Sequence, residues 1–252
     1  PSLVHHYFGT KEQVFVAAME LPFQPAEALP QALAGDPAGM GERLVRFTMN
    51  VFKLTLAFEL AGAVILTAAF WADHGSRAPW LGLFLSISAF NNAGFSLNSD
   101  SLMRYVADPW VSLTVCAAVI VGGLGFPVVF ELLRDWRRPG RWTVLTRITL
   151  ALTGALLLIG TVLFTTAESR NPETLGPLSG PAKLLAGFFA SVNTRTAGFN
   201  TVDIGAMRTE SLFTSDILMF IGGGSAGTAG GIKVTTFGLL AFVIWAEMRG
   251  ET

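Results

Sequence analysis

The chain predicts an all-α, multi-pass membrane protein built from helix–pore loop–helix repeats, with a small helical soluble piece at its N-terminus. Three observations carry this reading. First, 51% of its 252 residues are apolar and only 14% are charged, against roughly 25% charged in a soluble domain. Second, the apolar runs at 51–71, 110–133 and 144–167 each match the roughly 20 residues that one bilayer crossing needs. Third, two apolar segments too short to cross lead into the same tripeptide. Pro79 to Phe90 runs into Asn91-Asn92-Ala93-Gly94-Phe95-Ser96, and Ala182 to Val192 runs into Thr194-Arg195-Thr196-Ala197-Gly198-Phe199-Asn200.

Composition excludes several classes. A net charge of −1 points to no charged partner. The single cysteine, Cys116, lies in an apolar run and supports neither a disulfide framework nor a metal cluster. Residues 1–30 lack the basic start and apolar core of a secretory signal, and the chain opens on Pro1, which suggests truncation upstream. The three histidines, His5, His6 and His74, lie outside the apolar runs. With no Ser/His/Asp arrangement, the chain is expected not to be an enzyme and to hold no cofactor.

Residues 1–48 mix charged and apolar positions, as a soluble helical piece does. Ser2-Leu3-Val4-His5-His6-Tyr7-Phe8-Gly9-Thr10-Lys11-Glu12-Gln13 resembles the end of the helix-turn-helix of TetR-type regulators. Thr10 is placed to cap the next helix, with Gln13 at the capping-box position. The resemblance implies that Ser2, His5, His6 and Tyr7 lie near DNA and that Lys11 contacts a phosphate. The helices that should precede this one are absent, so nucleic acid is not expected as a partner. His5 and His6 point in different directions on a helix and belong to that motif rather than to a metal site.

From residue 49 the chain changes character, and the first repeat spans 49–140. The 51–71 crossing carries Lys53, which can snorkel, and Glu59, expected to hydrogen-bond between helices well away from the pore loop. Pro79 opens the first pore helix at a position helices accept. That helix's C-terminal end turns partial negative charge inward, which favours a cation. Non-helical backbone at membrane depth survives only when buried in protein or lining a wet cavity. A cation filter is such a place, with backbone carbonyls replacing the ion's water and glycine letting the backbone curve toward the axis. Potassium is the cation this reading favours. The second crossing, Trp110 to Leu133, holds Gly122-Gly123-Leu124-Gly125-Phe126-Pro127, which permits close packing and a kink. The Arg-rich loop within 134–147 is cytoplasmic by the positive-inside rule, which puts both Ala-Gly-Phe loops on the outer side.

The second repeat spans 141–252. Its third crossing, Val144 to Ala167, precedes the second pore helix, and a fourth crossing begins at Ser211. That crossing breaks at Gly222-Gly223-Gly224-Ser225-Ala226-Gly227-Thr228-Ala229-Gly230-Gly231, because each glycine costs a helix about 1 kcal/mol. The run lacks the Gly-Lys-Ser/Thr of a phosphate loop, since Val234 follows Lys233. Set between two apolar half-helices, it is an intramembrane loop.

From about Phe47 onward these motifs resemble the potassium-translocating subunits of the TrkH/TrkG/KtrB family. The resemblance rests on Phe58-Glu59-Leu60-Ala61-Gly62-Ala63, both Ala-Gly-Phe segments, Gly122 to Phe126, and Met219 to Lys233. It implies four repeats around one pore, of which this chain matches the second and third. Asn92, Ala93, Gly94 and Phe95, with Thr196, Ala197, Gly198 and Phe199, would then be two of four filter strands. Gly222 to Gly231 would be the gate, and Arg195 a brace of the pore-loop scaffold rather than an ion ligand. The family also implies a homodimer and a cytoplasmic nucleotide-binding regulatory subunit that itself carries the nucleotide site. Two strands do not enclose an ion, so the chain is expected to be a fragment joined to foreign sequence near residues 44–50. The rival readings are a TetR-type regulator and an inactive membrane remnant.

Overall fold

The computed structural model describes residues 39–249, and the TetR-like positions Ser2, His5, His6, Tyr7 and Lys11 lie outside them. The described residues form eight α-helices joined by loops and short 3₁₀ turns. These are α1 (Met40–His74), α2 (Ala78–Phe90), α3 (Pro109–Leu124), α4 (Phe126–Asp135), α5 (Val144–Glu168), α6 (Gly180–Asn193), α7 (Thr209–Phe220) and α8 (Val234–Met248). The Met40–Phe90 stretch, which takes in α1, and α5 are long and apolar enough to cross a membrane; α3 with α4 would make a third if the bent pair is one span. The outer faces of α1 and α5 expose Phe52, Leu56, Val64, Leu158 and Val162, as a lipid-facing surface does.

Two boundaries differ from the sequence reading. α1 is continuous from Met40, so the expected change of character near residue 48 falls inside a helix. Good helix formers such as Glu42, Arg43, Leu44 and Arg46 extend the apolar run without a break, and Arg46 pairs with Glu42 one turn away at 2.9 Å. The second crossing does not run to Leu133. It stops at Leu124, and α4 leaves at 105°. Gly125 makes the corner with φ +94, and Pro127 follows in the first turn of α4.

The duplication is visible in the packing. In the first repeat Ser86 donates to the Glu59 carbonyl at 2.7 Å, and in the second Ser191 donates to the Leu157 carbonyl at 2.9 Å. A Cβ on Gly62 would collide with Ser86, and one on Gly160 with Ser191. A Cβ on Gly82 would stand 2.7 Å from the Thr67 amide nitrogen, and one on Gly187 would overlap the Thr165 hydroxyl. Each long helix therefore meets its short helix through the same glycine contacts and the same serine-to-carbonyl bond. The main core fills the space between repeats, with Leu66, Phe70, Tyr105, Val111 and Val115 of the first packed on Phe189, Val192 and Phe199 of the second.

Buried carboxylates tie both ends of α5. Near its start Glu131 accepts from the Thr143 amide and hydroxyl, each at 2.8 Å, and from the Thr146 hydroxyl. At its far end Glu168 accepts from Ser211, from Thr174 and Asn171 at 2.6 Å, and from the Arg208 amide at 2.9 Å. Neither has a salt-bridge partner among the described residues. Several hydrogen bonds to one carboxylate satisfy its buried charge.

Candidate functional site: two Ala-Gly-Phe segments over a glycine-rich loop

α2 and α6 each begin with a proline in the first turn, and their C-terminal ends deliver the two Ala-Gly-Phe segments side by side. The backbone takes the same path in both copies. Asn92 and Gly94 have φ +50 and +73, while Thr196 and Gly198 have φ +66 and +85. Ala93 and Ala197 between them stay on the ordinary side. Such alternation of hand turns successive peptide groups the same way, which gathers amides on one side and carbonyls on the other. A β-branched residue in the left-handed region is an outlier that its surroundings must hold in place. Thr196 is held at its hydroxyl, which donates to the Arg195 carbonyl and accepts from the Gly230 amide, both at 2.7 Å.

The two segments touch at their glycines. A Cβ on Gly94 would overlap the Ala197 carbonyl oxygen and stand 2.6 Å from the Gly198 Cα. A side chain at either position is therefore opposed by both φ and space. Beneath Asn92 the arrangement mirrors that beneath Thr196. The Asn92 amide donates to the Thr228 hydroxyl at 2.5 Å, and that hydroxyl donates to the Phe90 carbonyl at 3.0 Å. Asn92 Oδ1 is buried with no hydrogen-bond partner.

The break between α7 and α8 is the expected one, and it has a second role. The Gly224 amide donates to the Gly123 carbonyl at 2.7 Å, and the Thr228 amide to the Gly122 carbonyl at 3.0 Å. Those carbonyls sit at the end of α3, where the helix leaves them without partners. A Cβ on Gly125 would overlap the Ser225 carbonyl oxygen, and one on Gly122 the Phe90 carbonyl oxygen. The two glycine-rich stretches, both singled out in the sequence, are thus halves of one interlocked structure. Sequence reasoning treated them separately, and no periodicity links residues so far apart. The loop closes on itself where the Gly222 amide meets the Ile232 carbonyl at 2.9 Å. Lys233 lies at its exit, with Nζ on the Ala229 carbonyl at 2.7 Å.

Arg195 and Asn91 occupy matching positions before their segments. Arg195 is 7% exposed and donates to the Thr153 hydroxyl on α5 at 3.3 Å, while its Nη2 has no partner. Asn91 donates to Glu59 Oε1 on α1 at 2.7 Å. Each thus reaches back to the long helix of its own repeat, as a scaffold brace does. Glu59 hydrogen-bonds between helices as expected, but not away from the pore loop: its partner is the residue immediately before Asn92. The start of α2, in register with α1, brings the end of the short helix level with Glu59.

Residues 40–252 match the model of the TrkH cation transport protein family. The chain belongs to this family. It is 42% identical over 223 residues to Ktr system potassium uptake protein B of Vibrio alginolyticus, covering 87% of this chain and 49% of that protein. Against the Ktr system potassium uptake protein B of Bacillus subtilis it is 42% identical over 246 residues, 96% of this chain and 51% of that protein. That match reaches into the segment where the TetR likeness lies. The potassium/sodium uptake protein NtpJ of Enterococcus hirae is 34% identical over 83% of this chain and 46% of its own length. The potassium transporter TrkH of Vibrio parahaemolyticus shares the fold, with a TM-score of 0.66, 20% identity and coverage of 94% of this chain and 48% of that one. The chain spans about half the length of the relatives it matches.

Proposed function

We propose that this chain carries two of the pore segments of a potassium-uptake protein. The observation that carries the reading is the repeated backbone: the same alternation of hand at Asn92-Ala93-Gly94 and Thr196-Ala197-Gly198, with the two glycines in contact. Carbonyls gathered on one side offset the cost of stripping water from a cation. Asn92, Ala93, Gly94, Phe95, Thr196, Ala197, Gly198 and Phe199 form half of the filter, and the unpartnered Asn92 Oδ1 adds an acceptor at its edge. The loop from Gly222 to Gly231, bonded to the first residue of each segment, is the gate. Two relatives are named for potassium uptake and a third for potassium and sodium, which supports a monovalent cation as cargo.

The protein lies in the cell membrane as a multi-pass chain with the 134–147 loop in the cytoplasm. It works as a homodimer with a cytoplasmic nucleotide-binding regulatory subunit and needs no cofactor of its own. The test is a graft. Residues 40–252 replace the matching half of the Bacillus subtilis relative, and potassium-limited growth is scored in transport-deficient cells. Uptake is expected, and Gly198→Asp abolishes it while membrane expression persists. Unchanged uptake in that variant would sink the filter assignment.

A further inference from the structure

The turn between α4 and α5 has a job that the ion path leaves unused. We infer that it is a binding site for the phosphate headgroup of an anionic phospholipid. The inference needs the membrane placement of the chain and does not depend on which ion it carries.

Position comes first. The Cβ position of Gly224, which lies against the Leu124 carbonyl, stands 2.9 Å from the Thr149 methyl. The corner at Gly125 is therefore level with a residue just over one turn into α5. Turned through 105°, α4 runs across the end of the bundle rather than on through it. It buries Val128, Val129 and Glu131 and exposes Leu133, while Trp136 beyond its end is 63% exposed. An apolar edge next to arginines, lying across a bundle end, suits the boundary between acyl chains and headgroups.

Chemistry comes second. Arg134, Arg137, Arg138, Arg141 and Arg147 fall within one short stretch, and Asp135 is its one acid. Asp135 is taken by Arg134 at 2.8 Å, and Arg147 gives one nitrogen to the Gly140 carbonyl at 2.8 Å. The guanidinium of Arg137 stacks 4.8 Å over the Trp136 ring. Arg137, Arg138 and Arg141 are exposed and have no carboxylate partner among the described residues. Guanidinium groups pair with phosphate through two parallel hydrogen bonds, which a lysine cluster cannot do.

Preorganisation comes third. The Arg138 amide and the Trp142 indole both donate to the Asp135 carbonyl, at 2.9 and 3.0 Å. The Arg141 amide donates to the Arg138 carbonyl at 2.9 Å. Glu131 fastens α4 to Thr143 and Thr146 of α5. The arginines are therefore held on a fixed turn, which lowers the ordering cost of binding.

The test uses the full chain in nanodiscs of zwitterionic lipid, titrated with brominated phosphatidylglycerol. Quenching of Trp136, taken as the difference from Trp136→Phe protein, reads local lipid. We expect half-quenching at a mole fraction roughly tenfold below that for brominated phosphatidylcholine. Arg137→Gln/Arg138→Gln/Arg141→Gln brings the two curves together, and Arg→Lys at the same positions restores only part of the gap. Equal quenching by both lipids in the unaltered chain overturns the inference, as does a triple variant that keeps the gap. Displacement by millimolar glycerol phosphate would mark a soluble-anion site and also overturn it. So would unchanged lipid quenching in a triple variant that no longer holds a cytoplasmic partner protein.

Discussion

The two Ala-Gly-Phe segments have the same sequence core and the same backbone, yet they sit in opposite surroundings. Phe199 is 0% exposed, and Phe95 is 68% exposed. Ala197 is buried where Ala93 is open. The cause is the neighbour rather than the segment. Phe199 packs among Leu102, Tyr105 and Val111 of the first repeat, and the Leu102 amide donates to the Asn200 carbonyl at 3.0 Å. The second segment is thus seated by the first repeat.

The largest expected effect tests that relation directly. Phe199→Ala should cost about 3–5 kcal/mol in the unfolding of the chain, and Phe95→Ala no more than about 0.5 kcal/mol. Equal losses, measured by thermal unfolding in detergent, would break the comparison. Next comes the glycine pair. Alanine at either position pays the left-handed penalty of roughly 1–2 kcal/mol. Gly94→Ala adds overlap with the Ala197 carbonyl, whereas the nearest atom to a Cβ on Gly198 is 3.1 Å away. Gly94→Ala should therefore exceed Gly198→Ala by about 1–3 kcal/mol, and the reverse order would show that the segments separate before the side chain is accommodated.

A third contrast lies beneath the segments. Under the first, the loop supplies the hydroxyl, from Thr228. Under the second, the segment supplies it, from Thr196, and the loop gives an amide. Thr228→Val strands both the Asn92 amide and the Phe90 carbonyl and should cost about 2 kcal/mol. Thr196→Val strands the Arg195 carbonyl and the Gly230 amide, the second at an exposed residue, and should cost about 1.5 kcal/mol. In the grafted protein we expect the Thr228 change to raise potassium flux more, because it frees the loop from α2 and Asn92 together. A greater rise from Thr196→Val would place the stronger latch under the second segment.

Much of this was legible in the sequence, and the reason differs from residue to residue. Pro79, the short apolar run from Ala182 to Val192 and the Ala-Gly-Phe tripeptides are local signals, and they placed both short helices and both segments. The glycine run announced a broken helix because glycine penalties are also local. What stayed hidden depends on pairing across distance. Nothing near Gly122 says that its carbonyl receives the Thr228 amide, and nothing near Gly125 says that the corner is filled by Ser225. Glu168 reads as the first residue of a loop past the 144–167 run, while its partners Thr174 and Ser211 read as ordinary loop and helix residues. The alternation of hand at Asn92 and Thr196 was invisible because neither residue type demands it.

Glu59 gives the smallest effect and the finest test of the duplication. Its backbone matches that of Leu157, since each carbonyl accepts from the serine of its own short helix. Only the side chains differ: Glu59 holds Asn91, and Leu157 has no such task. The pair is exposed, so solvent replaces much of what is lost. Glu59→Gln keeps an acceptor oxygen for Asn91 and should change stability by less than about 0.5 kcal/mol. Glu59→Leu makes the first repeat like the second at this position and should cost about 0.5–1.5 kcal/mol through the lost hydrogen bond. Asn91→Ala should then add less to Glu59→Leu than it costs alone, because both changes remove the Glu59–Asn91 bond and only the Asn91 bond to the Ile87 carbonyl, at 2.9 Å, is further lost. A double variant whose loss equals the sum of the single losses would mean that Glu59 acts on something other than Asn91, and that the first repeat places a carboxylate beside its segment for a reason the second does not share.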